Sequence, residues 1–377
     1  MSSRHLWAIT RKETLHIFRD RITFFLVILA PTILLFFMAY ALSVEIKQVP
    51  IAVLDFDRSA TSRTFINQIT AGEDLALYAQ VGTLYEIEDL LMRGKIKAAL
   101  VIDPNYARDL GSMRGMPMQV IIDGTEPQSG GFAIDQISWR AEEFINQTLA
   151  AQIQALDPSL DDLQPIDLRV RTWYNPGLEP RVDLVPGLLS IVLGMPALSV
   201  ALTISNEREH GTLEQLMATP VSRTELLLGK MIPYILVGML NAVLIPIIAI
   251  IVFDIPFNGN FLLFFLLSTI FMFAILSLGI IVGVFMPTQP AALALSFLVI
   301  FFPGFFLTGI FFPIAAMPEI MRLEALALPG THYAIITRGA FLTGVGLDVL
   351  WPYGVMLFVL GCSFVAVAAI FFRKKLG

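Results

Sequence analysis

Ile22–Val44 reads ITFFLVILAPTILLFFMAYALSV and contains no charged side chain. An α-helix needs about 20 apolar residues to cross roughly 30 Å of hydrocarbon, because every backbone N–H and C=O must be satisfied within the helix there. The run therefore reads as a membrane span. The sequence that follows is opposite in character: from Glu45 to Asp183 it is polar, with 21 Asp/Glu against 12 Lys/Arg by count of the sequence.

Three further runs, Leu184–Asn206, Met231–Phe253 and Val349–Phe372, reach spanning length. The stretch Ile255–Pro318 carries no charge and is long enough for two crossings, with Gly283, Pro287 and Pro290 at the point where a turn is needed. Six spans are expected, near 22–44, 184–206, 231–253, 261–285, 291–312 and 350–372. The fold class that follows is an α-helical integral membrane protein, with a mixed α/β extracytoplasmic domain, 45–183, inserted between transmembrane helices 1 and 2. A composition of 56% hydrophobic and 15% charged residues, with a mean hydropathy of +0.74, is that of a membrane protein and not of a soluble globule.

Positive residues in short flanks resist translocation, and long domains are exempt from that count. Arg4, Arg11, Lys12, Arg19 and Arg21, then Arg208, Arg223 and Lys230, then Arg373, Lys374 and Lys375 flank one side. Only Arg322 and Arg338 flank the other. Both termini, including the basic tail 373–377, are thus expected in the cytoplasm and the insert outside. The acidic insert beside a basic cytoplasmic face argues against nucleic-acid binding. Ala39-Tyr40-Ala41 has the small-x-small pattern of a signal-peptide cleavage site, but the apolar run is long for an h-region and an amphipathic segment precedes it, so an anchor is expected.

Residues 4–21 mix Leu6, Trp7, Ile9, Leu15, Ile17 and Phe18 with five basic groups, which suits a helix along the cytoplasmic interface. A flank that only sets topology fits equally. In the insert, Ile51–Asp55, Ala98–Ile102 and Met118–Ile122 read as central strands, Thr83 and Glu86 as a capping box opening a helix ended by Gly94, and Ser129–Leu156 as a long helix. Asp55, Asp57, Asp103, Asp123 and Glu126 invite a metal or acid/base reading, yet acids at strand-to-turn junctions are mostly turn formers. The four histidines, His5, His16, His210 and His332, lack ligand spacing, and the single cysteine, Cys362, lies in the last span. No catalytic residue and no metal site is expected.

The loop Glu207–Lys230, EREHGTLEQLMATPVSRTELLLGK, encodes two successive helix starts, with Thr212 paired to Gln215 and Ser222 to Glu225 as capping boxes. Pro220 stops the first helix, and Leu213, Leu216 and Met217 share one of its faces. Such an amphipathic helix is built either to press on a soluble partner or simply to lie at the interface.

This loop makes the chain resemble the membrane subunit of an ATP-binding-cassette exporter of the type-2 permease class, in Glu207-Arg208-Glu209-His210-Gly211-Thr212-Leu213-Glu214-Gln215-Leu216, Thr219-Pro220, Glu225 and Gly229-Lys230. The similarity recurs at Trp173-Tyr174-Asn175-Pro176, Met317-Pro318, Pro329, His332-Tyr333 and Arg338, and it covers essentially the whole chain. It is greatest to bacterial inner-membrane permeases of multidrug-type efflux systems with a large periplasmic insert. The resemblance implies a half-transporter that forms a homodimer, or a heterodimer with a paralogous permease, and docks a separate ATPase on the 207–219 helix and the N-terminal helix. It also implies a re-entrant segment about 313–345, contact with membrane lipids, a periplasmic adaptor protein as a further partner, and cargo drawn from lipids, polysaccharides and drugs.

No Gly-x-x-x-x-Gly-Lys-Ser/Thr occurs, so Gly229-Lys230 is not a nucleotide loop, and ATP and Mg are expected on the partner chain. Within the expected boundaries no span holds an Asp, Glu, Lys, Arg or His, which argues against an ion-coupled carrier. The expectation is a transport subunit, not an enzyme. Coupling is assigned to Glu207, Arg208, Glu209, Gly211, Thr212, Leu213, Glu214, Gln215, Leu216, Met217 and Pro220. A substrate pathway is sought at Asn241, Phe301, Phe302, Pro303, Phe305 and Phe306, where helix packing and lipid contact are the competing reading. The competing function is a membrane-anchored receptor or assembly platform.

Overall fold

The computed structural model describes residues 3–42, 47–112, 114–156, 173–176, 179–212, 215 and 221–371. The chain divides into two compact units, Glu45–Val170 and the remainder. Helices outside the candidate spans are numbered α1 to α7, beginning with α1, Ser3–Arg19.

Among its described residues, the Glu45–Val170 unit is built on four strands, β1 (Val49–Asp55), β2 (Leu75–Gln80), β3 (Ala98–Ile102) and β4 (Met118–Ile122), in the order β2-β1-β3-β4. β1 is parallel to both β2 and β3, and β4 closes the sheet antiparallel. Strands covered on both faces need continuous apolar runs rather than alternation, and β1 and β3 have them. Ile51, Val53, Leu100 and Ile102 face α2 (Ala60–Thr70), α4 (Tyr106–Gly111) and α5 (Pro127–Leu156), whereas Ala52, Leu54, Ala99 and Val101 face Ile87 of α3 (Leu84–Met92). Thr83 caps α3 by accepting from the Glu86 N–H, and Gly94 at φ +63° ends it, with Gly94 N–H donating to Leu91 O and Lys95 N–H to Leu90 O.

The acids at the strand ends act as turn acceptors. Asp55 accepts from the N–H groups of Asp57 and Arg58, Asp57 from Ala107, Asp103 from Asn105 and Asp123 from Thr125. The Thr125 hydroxyl and N–H hold the Asp123 carboxyl below its ordinary range. No group of three or more His, Cys, Asp or Glu suited to a metal is present among the described residues.

Among its described residues, the other unit contains six helices long and apolar enough to cross a membrane: Arg21–Ala41, Pro180–Glu209, Arg223–Phe253, Phe261–Phe285, Gln289–Phe306 and Leu347–Phe371. In the first, Pro31 has no N–H for the Val27 carbonyl, and the helix widens into a π-turn over Phe25–Leu29. The Asn241 side chain of the third span donates to that carbonyl at 2.6 Å. The second span is two helices, Pro180–Val192 and Pro196–Glu209, separated by a turn at 193–195. Pro196 cannot donate to Val192 O, which accepts instead from Met195 N–H at 3.3 Å.

The second half of that span lies backbone to backbone against the fourth. A Cβ on Gly279 would sit 2.4 Å from Ala197 O, and one on Gly283 2.8 Å from Ala201 O. Small residues four apart allow this approach in an apolar medium, where helices associate through close packing. The fifth-span helix ends at Phe306 instead of reaching 312, and Gly309 beyond it adopts φ +81°. Arg338 then fixes the turn by donating to Gly309 O at 2.9 Å. Beyond it lie α6 (Glu319–Ala327) and α7 (Pro329–Arg338). In α7, Tyr333 stacks on Phe271 at 4.0 Å and hydrogen-bonds Ser268 at 2.7 Å, while Arg338 pairs with Asp183 at 2.9 Å, tying α7 to the start of the second span.

Candidate coupling site

α1 buries Ile9, Glu13 and Ile17, spaced four apart and so on one helical face, against the start of the third span. A Cβ on Gly229 would approach Ile9 Cβ to 2.9 Å, so glycine sets how closely the two helices meet. A carboxylate in the middle of an apolar stripe requires a partner. Glu13, 1% exposed, has one in Lys230, 2% exposed, at 2.9 Å. Lys230 also lies 2.8 Å from Glu207 at the end of the second span, and Lys12 pairs with Glu207 while standing 3.4 Å from Glu13. Two acids and two bases thus close a neutral cluster that joins α1 to the second and third spans. Burial lowers the Lys12 pKa, but Glu207 and then Glu13 outweigh it and hold the ammonium above its ordinary range. Nearby, Tyr234 hydrogen-bonds Thr203 at 2.8 Å.

The next two residues reach further. Arg208 donates to Val284 O at 2.8 Å, one of the last carbonyls of the fourth span, which lack intrahelical donors. Glu209 accepts at 3.0 Å from the N–H of Gln289, the first residue of the fifth span, and Gln289 donates to Asn206 at 2.8 Å. An acid on a helix N-terminus and a base on a C-terminus each complement the local backbone dipoles. Gly211, φ +69°, ends the second-span helix, and the Thr212 hydroxyl takes up Glu207 O at 3.1 Å. Ser222 and Glu225 form the expected reciprocal capping box at the head of the third span.

Glu207, Arg208 and Glu209 are therefore engaged within this chain, linking the second span to α1 and to the third, fourth and fifth spans. Gln215 is exposed. Leu213, Glu214, Leu216, Met217 and Pro220, with the helix expected to carry them, lie outside the described residues. The helices also run beyond the expected spans. Capping at Ser222 and pairing at Glu207 and Lys230 continue them, so charged side chains lie at the ends of the second and third span helices, outside 184–206 and 231–253. Among the residues not assigned from sequence, Glu13 had a readable signal as the one acidic residue between Ile9 and Ile17, on the face they share.

The residues considered for a substrate pathway separate. Asn241 is buried and supports the Val27 carbonyl. Phe301 and Phe305 are partly buried, and Phe301 lines a small cavity with Gly194 and Met195 at the break in the second span. Phe302 and Phe306 point outward and stack on each other at 6.1 Å, and Pro303 follows the π-turn Phe297–Phe301.

The described residues thus define a protein of several membrane-length helices whose second span ends in a polar junction with four other helices. Residues 21–371 match the family model described as ABC-2 family transporter protein, and the chain belongs to that family. It is 27% identical over 346 residues to the probable multidrug ABC transporter permease YbhS of Escherichia coli strain K12, covering 91% of this chain and 90% of that one. It is 24% identical to the probable multidrug ABC transporter permease YbhR of the same strain, over 98% of both chains. It is 26% identical to the inner membrane transport permease YhhJ, over 99% of this chain and 98% of the other.

Proposed function

We propose that this permease is the membrane half of an ATP-driven exporter in a bacterial inner membrane, with both termini cytoplasmic and the α/β unit on the opposite side. ATP and Mg bind a separate ATPase subunit, and two permease chains enclose the path. The cargo is amphipathic or hydrophobic, in keeping with the multidrug names of YbhS and YbhR.

The observation that carries this reading is the set of contacts made by Glu207, Arg208 and Glu209. A push on the loop after Gly211 meets α1 through Glu207, the fourth span through Arg208 and the fifth through Glu209. Rigid helices with fixed end contacts then move together, which is how a local displacement becomes a change of access. The cluster is neutral, with each of its two acids paired to a base. The test is purification of the tagged chain from its native membranes, with and without residues 207–219 scrambled. A P-loop ATPase that co-purifies only with the intact loop and hydrolyses ATP supports the proposal. No ATPase in either sample overturns it in favour of the anchored receptor.

A further inference from the structure

The second span changes partners at its break. Its first half, Pro180–Val192, packs mainly on α7 and on the Ala30–Leu42 helix of the first span. Its second half, Pro196–Glu209, packs mainly on the fourth span and on Gln289–Ser296 at the start of the fifth. The first span divides in the same way. Its Phe25–Leu29 π-turn packs on the third span, where Asn241 holds Val27 O, and on the second half, while the helix after it packs on the first half. We propose that the 193–195 turn and the Phe25–Leu29 π-turn form a paired hinge, about which Pro180–Val192 and Ala30–Leu42 tilt as one unit, with the Asp183–Arg338 pair as its latch.

The backbone at the break is the first support. Gly194 N–H donates to Ile191 O at 3.1 Å, Met195 N–H to Val192 O at 3.3 Å and Ala197 N–H to Gly194 O at 3.1 Å, each three residues back instead of four. Such bonds are poorer than those of the α-helix on either side, and both three-residue stretches and π-turns recur where helices bend. Pro196 removes the donor that would restore the regular bond to Val192 O. A small cavity adjoins the break, lined by Gly194, Met195, Phe301, Gly304 and Pro329, so the turn lacks full packing on that side.

The two sides of the hinge are held unequally. The second half is locked to the fourth span by the close approach at Gly279 and Gly283, and α7 by the Tyr333 contacts with Phe271 and Ser268. The Asp183–Arg338 pair, 2.9 Å long, therefore joins the tilting unit to a fixed one. With Asp183 52% and Arg338 25% exposed, it can open into water while Arg338 keeps its bond to Gly309 O. Pro180–Val192 is an arm of about 20 Å, so a tilt of about 15° carries its tip about 5 Å. That tip lies at the end of the span away from Glu207. The tilt would open or close the path there with the coupling junction intact; this use rests on the export reading, and the hinge does not.

The test is pulsed spin-label distance measurement on the full chain purified without any ATPase, so its failure is separate from failure of the export reading. Labels are placed in a Cys362→Ser background, and labelled chain is diluted with unlabelled chain so that only distances within one chain are read. Pro180→Cys and Phe37→Cys report the tilting unit and His210→Cys the second half, each paired with Leu262→Cys at the start of the fourth span; all four sites are exposed. The expected result is two distances about 5 Å apart for the Pro180 and Phe37 pairs and one for the His210 pair. Asp183→Asn should raise the share of the minor distance about threefold, the modest effect of removing an exposed ion pair. Gly194→Ala with Pro196→Ala, which returns a donor to Val192 O, should abolish it. A single distance for the Pro180 or Phe37 pair in both wild type and Asp183→Asn, or two distances for the His210 pair, overturns the hinge. So does a minor distance that survives the double alanine variant. Where that variant fails to fold, the three label pairs in wild type and Asp183→Asn still decide.

Discussion

Replacing Lys230 by Met is the sharpest test of the buried cluster. Lys230 is 2.9 Å from Glu13 and 2.8 Å from Glu207, and all three side chains are buried. Methionine keeps much of the volume and removes the charge, leaving two carboxylates to share the half-exposed Lys12. Removing one partner of a buried ion pair costs about 3–5 kcal/mol, because an uncompensated charge remains in a low-dielectric site. At about 2–4 °C per kcal/mol, the apparent melting temperature in detergent should fall by about 10 °C. Adding Glu13→Gln restores neutrality, with Lys12 and Glu207 still paired, and should recover about 2–3 kcal/mol of the loss as a coupling energy. The assay is the fraction still monodisperse by size exclusion after heating. A single variant within about 2 °C of wild type, or a double variant no more stable than the single, would refute the reasoning.

Asn241→Leu should cost about 1–2 kcal/mol by leaving Val27 O without its donor, read as a lowered melting temperature; no change would mean that the carbonyl finds another partner. Gly283→Leu places side-chain atoms where a Cβ is already 2.8 Å from Ala201 O and 2.9 Å from Ile204 Cβ, and should cost about 1–3 kcal/mol. Cysteine cross-linking between the second and fourth spans should drop with it, and unchanged cross-linking would contradict the close contact. For Lys12, a pKa raised above 10.5 means that its stabilising contribution is complete below 10.5 and is lost as pH rises through the folded value. The melting difference between wild type and Lys12→Met should therefore be equal at about pH 6 and about pH 9, and a difference that shrinks across that window would count against the pairing.

Long apolar runs and capping residues were legible in the sequence because they act over a few neighbours. The helices of the spans, strands β1, β3 and β4, and the Ser222–Glu225 box all follow from such local signals. β2 was not legible: LALYAQ is an edge strand exposed over much of its length, and it lacks the strong apolar run of β1 or β3. The break in the second span was equally hidden, since Gly194 and Pro196 sit in an otherwise continuous apolar stretch. The loop pointed to Glu207, Arg208 and Glu209, but their partners did not, because Lys12, Val284 and Gln289 lie far away in sequence. Helix ends leave backbone groups that any distant side chain can satisfy, so the motif names the residues and only the fold names what they hold.

The central claim, that this chain turns ATP hydrolysis on a partner into export through the Glu207–Glu209 junction, is tested most directly by dye uptake into inside-out vesicles. The vesicles carry the chain with its co-purified ATPase, and Arg208→Ala with Glu209→Ala is compared with wild type. The account predicts ATP-dependent accumulation of a hydrophobic dye by wild type that survives collapse of the membrane potential, and its loss in the variant while ATPase binding persists. Uptake that needs the membrane potential but not ATP, or full uptake by the variant, would contradict it.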